Sequence, residues 1–185
     1  MKIWATSDQH FTHFNIIKYA NRPFELSNKG VKDCINTIVN KYNEVVQDDD
    51  IVIHVGDLGH GRNQSKENIG FILENLKGKK VLIRGNHDEW DDEYYLKYFH
   101  SVEEYYSKNG VFICHYPCYD SNRTRIEEHK YIDELKKYDI HTIIHGHVHN
   151  KNPDEWEPDG YKRINVSVDF TPNDFYPVDI TNYFK

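Results

Sequence analysis

Hydrophobic positions along the chain follow two rhythms. Short apolar runs at Ile3–Thr6, Ile51–Val55, Val81–Ile83, Val111–Cys114 and Thr142–Ile144 each stop at Gly, Pro or polar residues and read as buried strands. Between them, Val31, Cys34, Ile35, Ile38, Val39, Tyr42, Val45 and Val46 recur every three or four positions, which predicts a helix over Val31–Val46. Ile69, Ile72, Leu73 and Leu76 repeat that spacing, and Gly78 is a C-terminal stop. Asp91–Phe99 reads as a short helix, and Arg125–Tyr138 carries a weaker stripe through Ile126, Tyr131, Ile132 and Leu135. The stretch from Asn152 to Pro177 is rich in Pro, Asp and Asn, with one apolar alternation at Ile164, Val166 and Val168. Strands alternating with helices predict an α/β fold with substantial parallel sheet. No repeat, low-complexity segment or shift in composition divides the chain, so a single domain over residues 1–185 is expected.

Composition narrows the class. A chain of 185 residues is long enough for one core burying roughly 70% of the unfolded surface, so folding requires neither disulfides nor structural metal. The 14 Tyr, 9 Phe and 3 Trp exclude a disordered composition. Asp and Glu total 30 against 23 Lys and Arg, a net charge of −7. That balance argues against a reader of duplex DNA, whose affinity rests on neutralising phosphates with cationic side chains. Cys34, Cys114 and Cys118 form neither a disulfide framework nor a zinc set and suit a reducing compartment. The N-terminus lacks the apolar region of a signal peptide, and no apolar run of ~20 residues spans a bilayer. A cytoplasmic protein with no membrane partner is expected.

The chemistry concentrates where the strands stop. Asp8 and His10 follow the first, Asp57 the second, Asn86, His87 and Asp88 the third, His115 the fourth, and His147 and His149 the fifth. In open α/β sheets ligands bind at the carboxyl ends of strands, so these clusters are expected to converge. Residues at i and i+2 of an extended backbone project to one side, which would turn each of the pairs Asp8/His10 and His147/His149 towards one metal centre. Carboxylate, imidazole and amide donors without thiolate suit Mn, Fe(II) or Zn. Leaving out His87 and Asp88, the remaining seven donors exceed the needs of one tetrahedral ion, whereas two ions bridged by a carboxylate use all seven.

Taken in order, Asp8-Gln9-His10, Gly56-Asp57, Gly85-Asn86-His87-Asp88, His115 and Gly146-His147-Val148-His149 resemble the motif blocks of the calcineurin-like metallophosphoesterases. Ser7, Arg22-Pro23-Phe24, His115-Tyr116-Pro117 and His145 to His149 look like a small bacterial and phage branch of that family. The resemblance implies a four-layer α/β/β/α sandwich and two divalent metal ions, manganese first, with iron, zinc or nickel as alternatives. It puts Asp8, His10 and His149 on one ion, Asn86, His115 and His147 on the other, and Asp57 between them. It implies that His87 assists the leaving group, with Asp88 orienting the His87 imidazole as carboxylates behind a site commonly do. The implied activity is hydrolysis of phosphoesters by a metal-activated water, on a small, nucleotide-like phosphodiester or phosphomonoester. A DNA or RNA nuclease acting on single strands is the rival enzyme, and a noncatalytic protein-binding scaffold the rival from another class.

Other residues carry weaker signals. His13 follows the first cluster closely enough to reach substrate, and Arg123 and Arg125 offer phosphate contacts on a loop after His115. Asn15 is read as a helix cap or a packing residue as readily as a substrate contact. His145 shares the parity of His147 and His149 and is read as a hydrogen-bonding neighbour of the site. His54, His60, His100, His129 and His141 belong to no block and are assigned to packing or solvent. Cys114 is read as core, and Asp48–Asp50 and Asp91–Glu93 as solvated helix ends.

Overall fold

The computed structural model of the chain describes residues 1–60, 65–119, 130–150 and 160–185. Strands β1 (Ile3–Thr6), β2 (Ile51–His54), β3 (Lys79–Ile83), β4 (Val102–Glu103) and β9 (Val178–Asp179) form one sheet in the order β4-β3-β2-β1-β9. Strands β5 (Tyr106–Lys108), β6 (Val111–Ile113), β7 (Thr142–His145) and β8 (Lys162–Asn165) form the second, in that order. The inner pairs are parallel, with Ile3 opposite Ile51, Ile51 opposite Lys79 and Ile144 opposite Ile164. Antiparallel pairing occurs only at β1–β9 and β5–β6 among the described residues.

Strand alternation produces the layers. Trp4, Val52 and Leu82 face helices α2 (Asn28–Val45) and α3 (Lys66–Glu74), packing with Cys34, Ile38, Tyr42, Ile69 and Leu73. Their neighbours Ala5, Ile53 and Ile83 point the other way and meet Val111, Ile113, Ile144 and Val166 between the sheets. On the outer face of the second sheet, Phe112, Cys114 and Ile143 pack with Leu135 of helix α5 (Ile132–Lys137). Three apolar interfaces therefore separate four layers, the α/β/β/α sandwich implied by the motif resemblance. At the carboxyl ends the sheets meet: Ser7 N–H donates to Val166 O at 3.0 Å and Val168 N–H to Ser7 O at 3.1 Å.

Caps account for the shifted boundaries. The Ser27 hydroxyl accepts from Gly30 N–H, so α2 starts before Val31, and Ser65 caps α3 by accepting from Asn68 N–H. The short helices are α1 (Ile16–Tyr19) and α4 (Asp92–Tyr95), the latter capped by Asp91. One expectation is corrected here. Asp48 and Asp49 are exposed, but Asp50 is buried and accepts from Lys2 N–H, the Trp4 indole and Gln47 N–H, fastening the start of β1. Among the described residues no helix is long and apolar enough to cross a membrane.

Candidate metal centre

The five strand-end clusters converge where the two sheets meet. Asp57 lies at the middle: its Oδ2 is 3.5 Å from His10 Nε2 and 3.4 Å from His115 Nε2. On one side, Asp8, His10 and His149 bring one ligand-capable atom each within 4.8 Å of one another. On the other, Asn86 Oδ1 lies 3.2 Å from His115 Nε2 and 3.0 Å from His147 Nδ1.

The backbone reaches this arrangement differently from expectation. Asp8, His10, Asp57, His147 and His149 have φ of 57°, 46°, 58°, 69° and 54°, so the paired donors sit on left-handed turns, not extended chain. Asp8 and His10 still face one side of Asp57, but His147 lies with Asn86 and His115 and His149 with Asp8 and His10, so a spacing of two does not bring that pair to one side. Left-handed backbone costs a residue with a side chain ~1–2 kcal/mol. Local hydrogen bonds offset it: Asp8 N–H donates to Gly56 O, His10 N–H to Asp57 O, and His147 N–H to the Asp8 carboxylate. Gly56, at φ 86°, could not carry a side chain, because its Cβ would lie 2.4 Å from Gly85 N and 2.8 Å from His115 Nδ1.

Outer partners decide which imidazole nitrogen is free. A carbonyl only accepts, so Nδ1–H of His10 donates to Gly59 O at 3.0 Å and Nδ1–H of His115 to Val55 O at 2.8 Å. Nδ1 of His149 is held by the Asp169 carboxylate at 2.6 Å. In each case Nε2 is left for the centre, the arrangement by which ligating histidines are commonly oriented. Nε2 of His10 is buried with no hydrogen-bond partner among the described residues, an orphan acceptor that a cation would satisfy. The donor chemistry fits a divalent metal on either side of Asp57.

Electrostatics agree with a cation-seeking site. Burial pushes the Asp57 carboxyl up, but His115 and then His10 outweigh it and hold the group below the ordinary carboxylate range. Burial pushes His115 down, while Asp57 and then Asp8 raise it to about 10. Burial takes His10 well below its usual value. For His149, burial lowers while Asp8 and Asp169 raise, with a net upward shift.

Two assigned roles change. Asp88 does not orient the His87 imidazole: its carboxylate accepts from the backbone N–H of Asp57, Leu58 and Gly85 at 2.8–3.1 Å, tying the second and third strand ends together. Burial and then the Asp57 carboxylate push Asp88 up to about 6. His60, assigned to solvent or packing, lies at the site, its ring 3.8 Å from that of His13 and 4.4 Å from that of His87. His13 itself is 5.7 Å from His10. His54 is packed against Tyr42 and Phe99, and Cys114 is core. His145 is fully buried beside the site and bonds Gly146 O through Nδ1. Arg123, Arg125 and His129 lie outside the described residues.

Asp169 and Arg22 complete the centre. The Arg22 guanidinium donates to both Asp169 oxygens and to the carbonyls of Asp8 and Gln9, so one buried ion pair links the loop after β1 to the segment after β8. A sequence signal for Asp169 existed: it ends the alternation Ile164, Val166, Val168, a sixth apolar run leading into a metal-capable side chain.

The family model described as calcineurin-like phosphoesterase matches residues 1–114. The chain belongs to that family. Membership implies metal-dependent phosphoester hydrolysis. The matched stretch stops one residue before His115, and the last three histidine donors come into the same centre from beyond it. The uncharacterized protein MJ1445 of Methanocaldococcus jannaschii is 35% identical over 97% of this chain and 87% of its own length. Among solved structures, the protein of unknown function AQ665 from Aquifex aeolicus is similar over 99% of this chain and 97% of that one, at 26% identity and a TM-score of 0.72.

Proposed function

We propose that the protein is a dinuclear metal-dependent phosphoester hydrolase acting on a small, nucleotide-like phosphodiester or phosphomonoester. The observation that carries this reading is Asp57 Oδ2, almost equidistant from His10 Nε2 and His115 Nε2 with further donors behind each. Asp8, His10 and His149 would hold one cation, Asn86, His115 and His147 the other, with Asp57 shared. The N/O donor set is compatible with manganese, iron, zinc or nickel, of which the family resemblance favours manganese. Two such ions supply Lewis-acid charge for a phosphoryl group and a nucleophilic oxygen at neutral pH.

The chain's own residues do the rest. Asp169, Gly59 O and Val55 O hold the ligating imidazoles in one tautomer, so little reorganisation is needed as charge develops. His87 is half-buried and its ring lies 5.4 Å from that of His10, at the rim of the centre. From there it would donate a proton to the departing alkoxide. His13 lines the same rim, and with Arg123 and Arg125 it is proposed to contact the substrate.

The test is hydrolysis by metal-loaded protein of an alkyl phosphodiester, bis-p-nitrophenyl phosphate, p-nitrophenyl phosphate, cyclic nucleotides and single-stranded DNA. Asp57→Ala should lose metal and activity together. His87→Ala should keep its metals while turnover of the alkyl ester falls roughly 10²- to 10⁴-fold, the range of a positioned acid or base. A single bound ion per chain, or wild-type turnover of the alkyl ester by His87→Ala, would overturn the corresponding part of the reading.

A further inference from the structure

We propose that His60 is a positioning residue for His87, backed by His13, so that these two imidazoles together with His10 hold the proton donor on the leaving-group side of the centre. This rests on the reading of His87 given above and extends it to a residue outside the family's motif blocks.

Asp88 is committed to three backbone N–H groups. Among the described residues no side chain hydrogen-bonds the His87 ring, and the only hydrogen bond from this residue to the site is its own N–H to Asp57 Oδ1 at 2.9 Å. That bond fixes the backbone and leaves the side-chain torsions free. An acid that must meet a departing oxygen within about 3 Å needs those torsions fixed as well. Ring contacts are what remains: His10 at 5.4 Å edge-on, and His60 at 4.4 Å with planes inclined by 48°. His10 is held by Gly59 O and cannot follow His87. His60, whose ring is 6.1 Å from that of His10, is therefore a second wall beside the first, and the nearer of the two to His87.

His60 has its own backing. Its ring lies face to face with His13 at 3.8 Å and 1° between planes. The His13 backbone is fixed in the loop after β1, where its N–H donates to His10 O and its carbonyl accepts from Ile16 N–H at the start of α1, and its ring is flanked by Tyr19 at 6.1 Å and His10 at 5.7 Å. The ring contacts thus run from His13 through His60 to His87.

The same geometry argues against a third metal at His10, His13 and His60, although their nitrogens lie within 4.8 Å of one another. Imidazole lone pairs lie in the ring plane, so two parallel rings direct them side by side, whereas ligands of one ion must converge. Face-to-face rings suit packing.

The experiment uses the metal-loaded full chain with His60→Ala, His60→Phe, His87→Ala and the double variant His60→Ala/His87→Ala, measuring bound metal and kinetics on an alkyl phosphodiester and on bis-p-nitrophenyl phosphate. His60→Ala should keep the wild-type metal content and lower kcat on the alkyl ester roughly tenfold or more, a fraction of the 10²- to 10⁴-fold available to the acid itself. The drop should be smaller on the p-nitrophenyl ester, whose leaving group needs no proton, and KM should stay within about twofold on both. His60→Phe should recover most of the loss through its ring face. The double variant should be no slower than His87→Ala, as for residues acting as one unit. Loss in His87→Ala with wild-type kinetics in His60→Ala would overturn the positioning role alone. So would equal losses on the two esters, a rise in KM at unchanged kcat, or one metal fewer per chain. Wild-type kinetics in His87→Ala would overturn the reading of His87 and this inference with it.

Discussion

Asp169 and His149 are joined by a 2.6 Å hydrogen bond between Oδ2 and Nδ1, and the same carboxylate is gripped by Arg22. This contact turns His149 Nε2 towards Asp8, 4.0 Å from Oδ1. Asp169→Asn should keep the packing while losing the charge that favours a ligating imidazole, and metal affinity should fall by 10- to 100-fold, the usual effect of removing a ligand's partner. Titration calorimetry with manganese, read beside thermal unfolding of the metal-free chain, separates this loss from misfolding. Undiminished affinity would remove Asp169 from the centre.

Asp88 leads to a different expectation. Its carboxylate satisfies three buried N–H groups at two strand ends, and a buried donor left unsatisfied costs about 1–3 kcal/mol. Asp88→Ala should therefore destabilise the metal-free fold by several kcal/mol and weaken metal binding through Asp57, whose own N–H is one of the three. Denaturant unfolding without metal tests it. A variant as stable as the wild type, impaired only in turnover, would return Asp88 to an orienting role on His87.

The α/β class and the five strand-end clusters were legible in the sequence because both depend on local patterns, whereas the four-layer sandwich was implied by the motif resemblance. Alternation at Ile51 to Val55 assigns one face to α2 and α3 and the other to the second sheet. Edge strands β4, β5 and β9 were not legible: two or three residues are too few to alternate, and their pairing is set by neighbours far along the chain. At the centre, the donor types were readable but their directions were not: all four paired donors sit on left-handed turns, yet Asp8 and His10 face one side while His147 and His149 face different sides. Asp169, His60 and the turn of Asp88 towards the backbone depend on contacts across the fold, such as Arg22 with Asp169, that no spacing encodes.

Acid stability should depend on histidines outside the proposed ligands. Burial lowers His54 to about 3, and its Nδ1 has no partner among the described residues. The unfolded chain takes up that proton near pH 6.5, while the folded one resists until about 3. A folded-state value below the unfolded one means that stability is fully present above pH 6.5 and is lost as pH falls towards 3, by on the order of a few kcal/mol. His54→Leu should make the stability of the metal-free protein less sensitive to pH across this window. His145, also lowered to about 3 by burial, leaves part of the slope in place. An unchanged pH slope for His54→Leu in urea unfolding between pH 7 and 4 would show that His54 takes up its proton without loss of the fold.

Gly85 tests how tightly the two strand ends must approach. A Cβ on Gly85 would fall 2.2 Å from Asp57 Oδ1 and 2.5 Å from Asp57 N, contacts with the Asp57 carboxylate and with main chain that no rotamer change relieves together. Gly85→Ala should therefore displace Asp57 and cost about 1–3 kcal/mol of stability, as overpacking does, with metal affinity reduced further than stability alone explains. Gly160 is the control: its φ is 89°, but a Cβ there meets nothing within 4 Å. Gly160→Ala should lose only the ~1–2 kcal/mol of left-handed backbone and bind metal as the wild type does. Thermal unfolding and metal titration of the two variants side by side check this. Equal metal affinity in both would mean that Asp57 can move without consequence, which a carboxylate shared by two ions could not do.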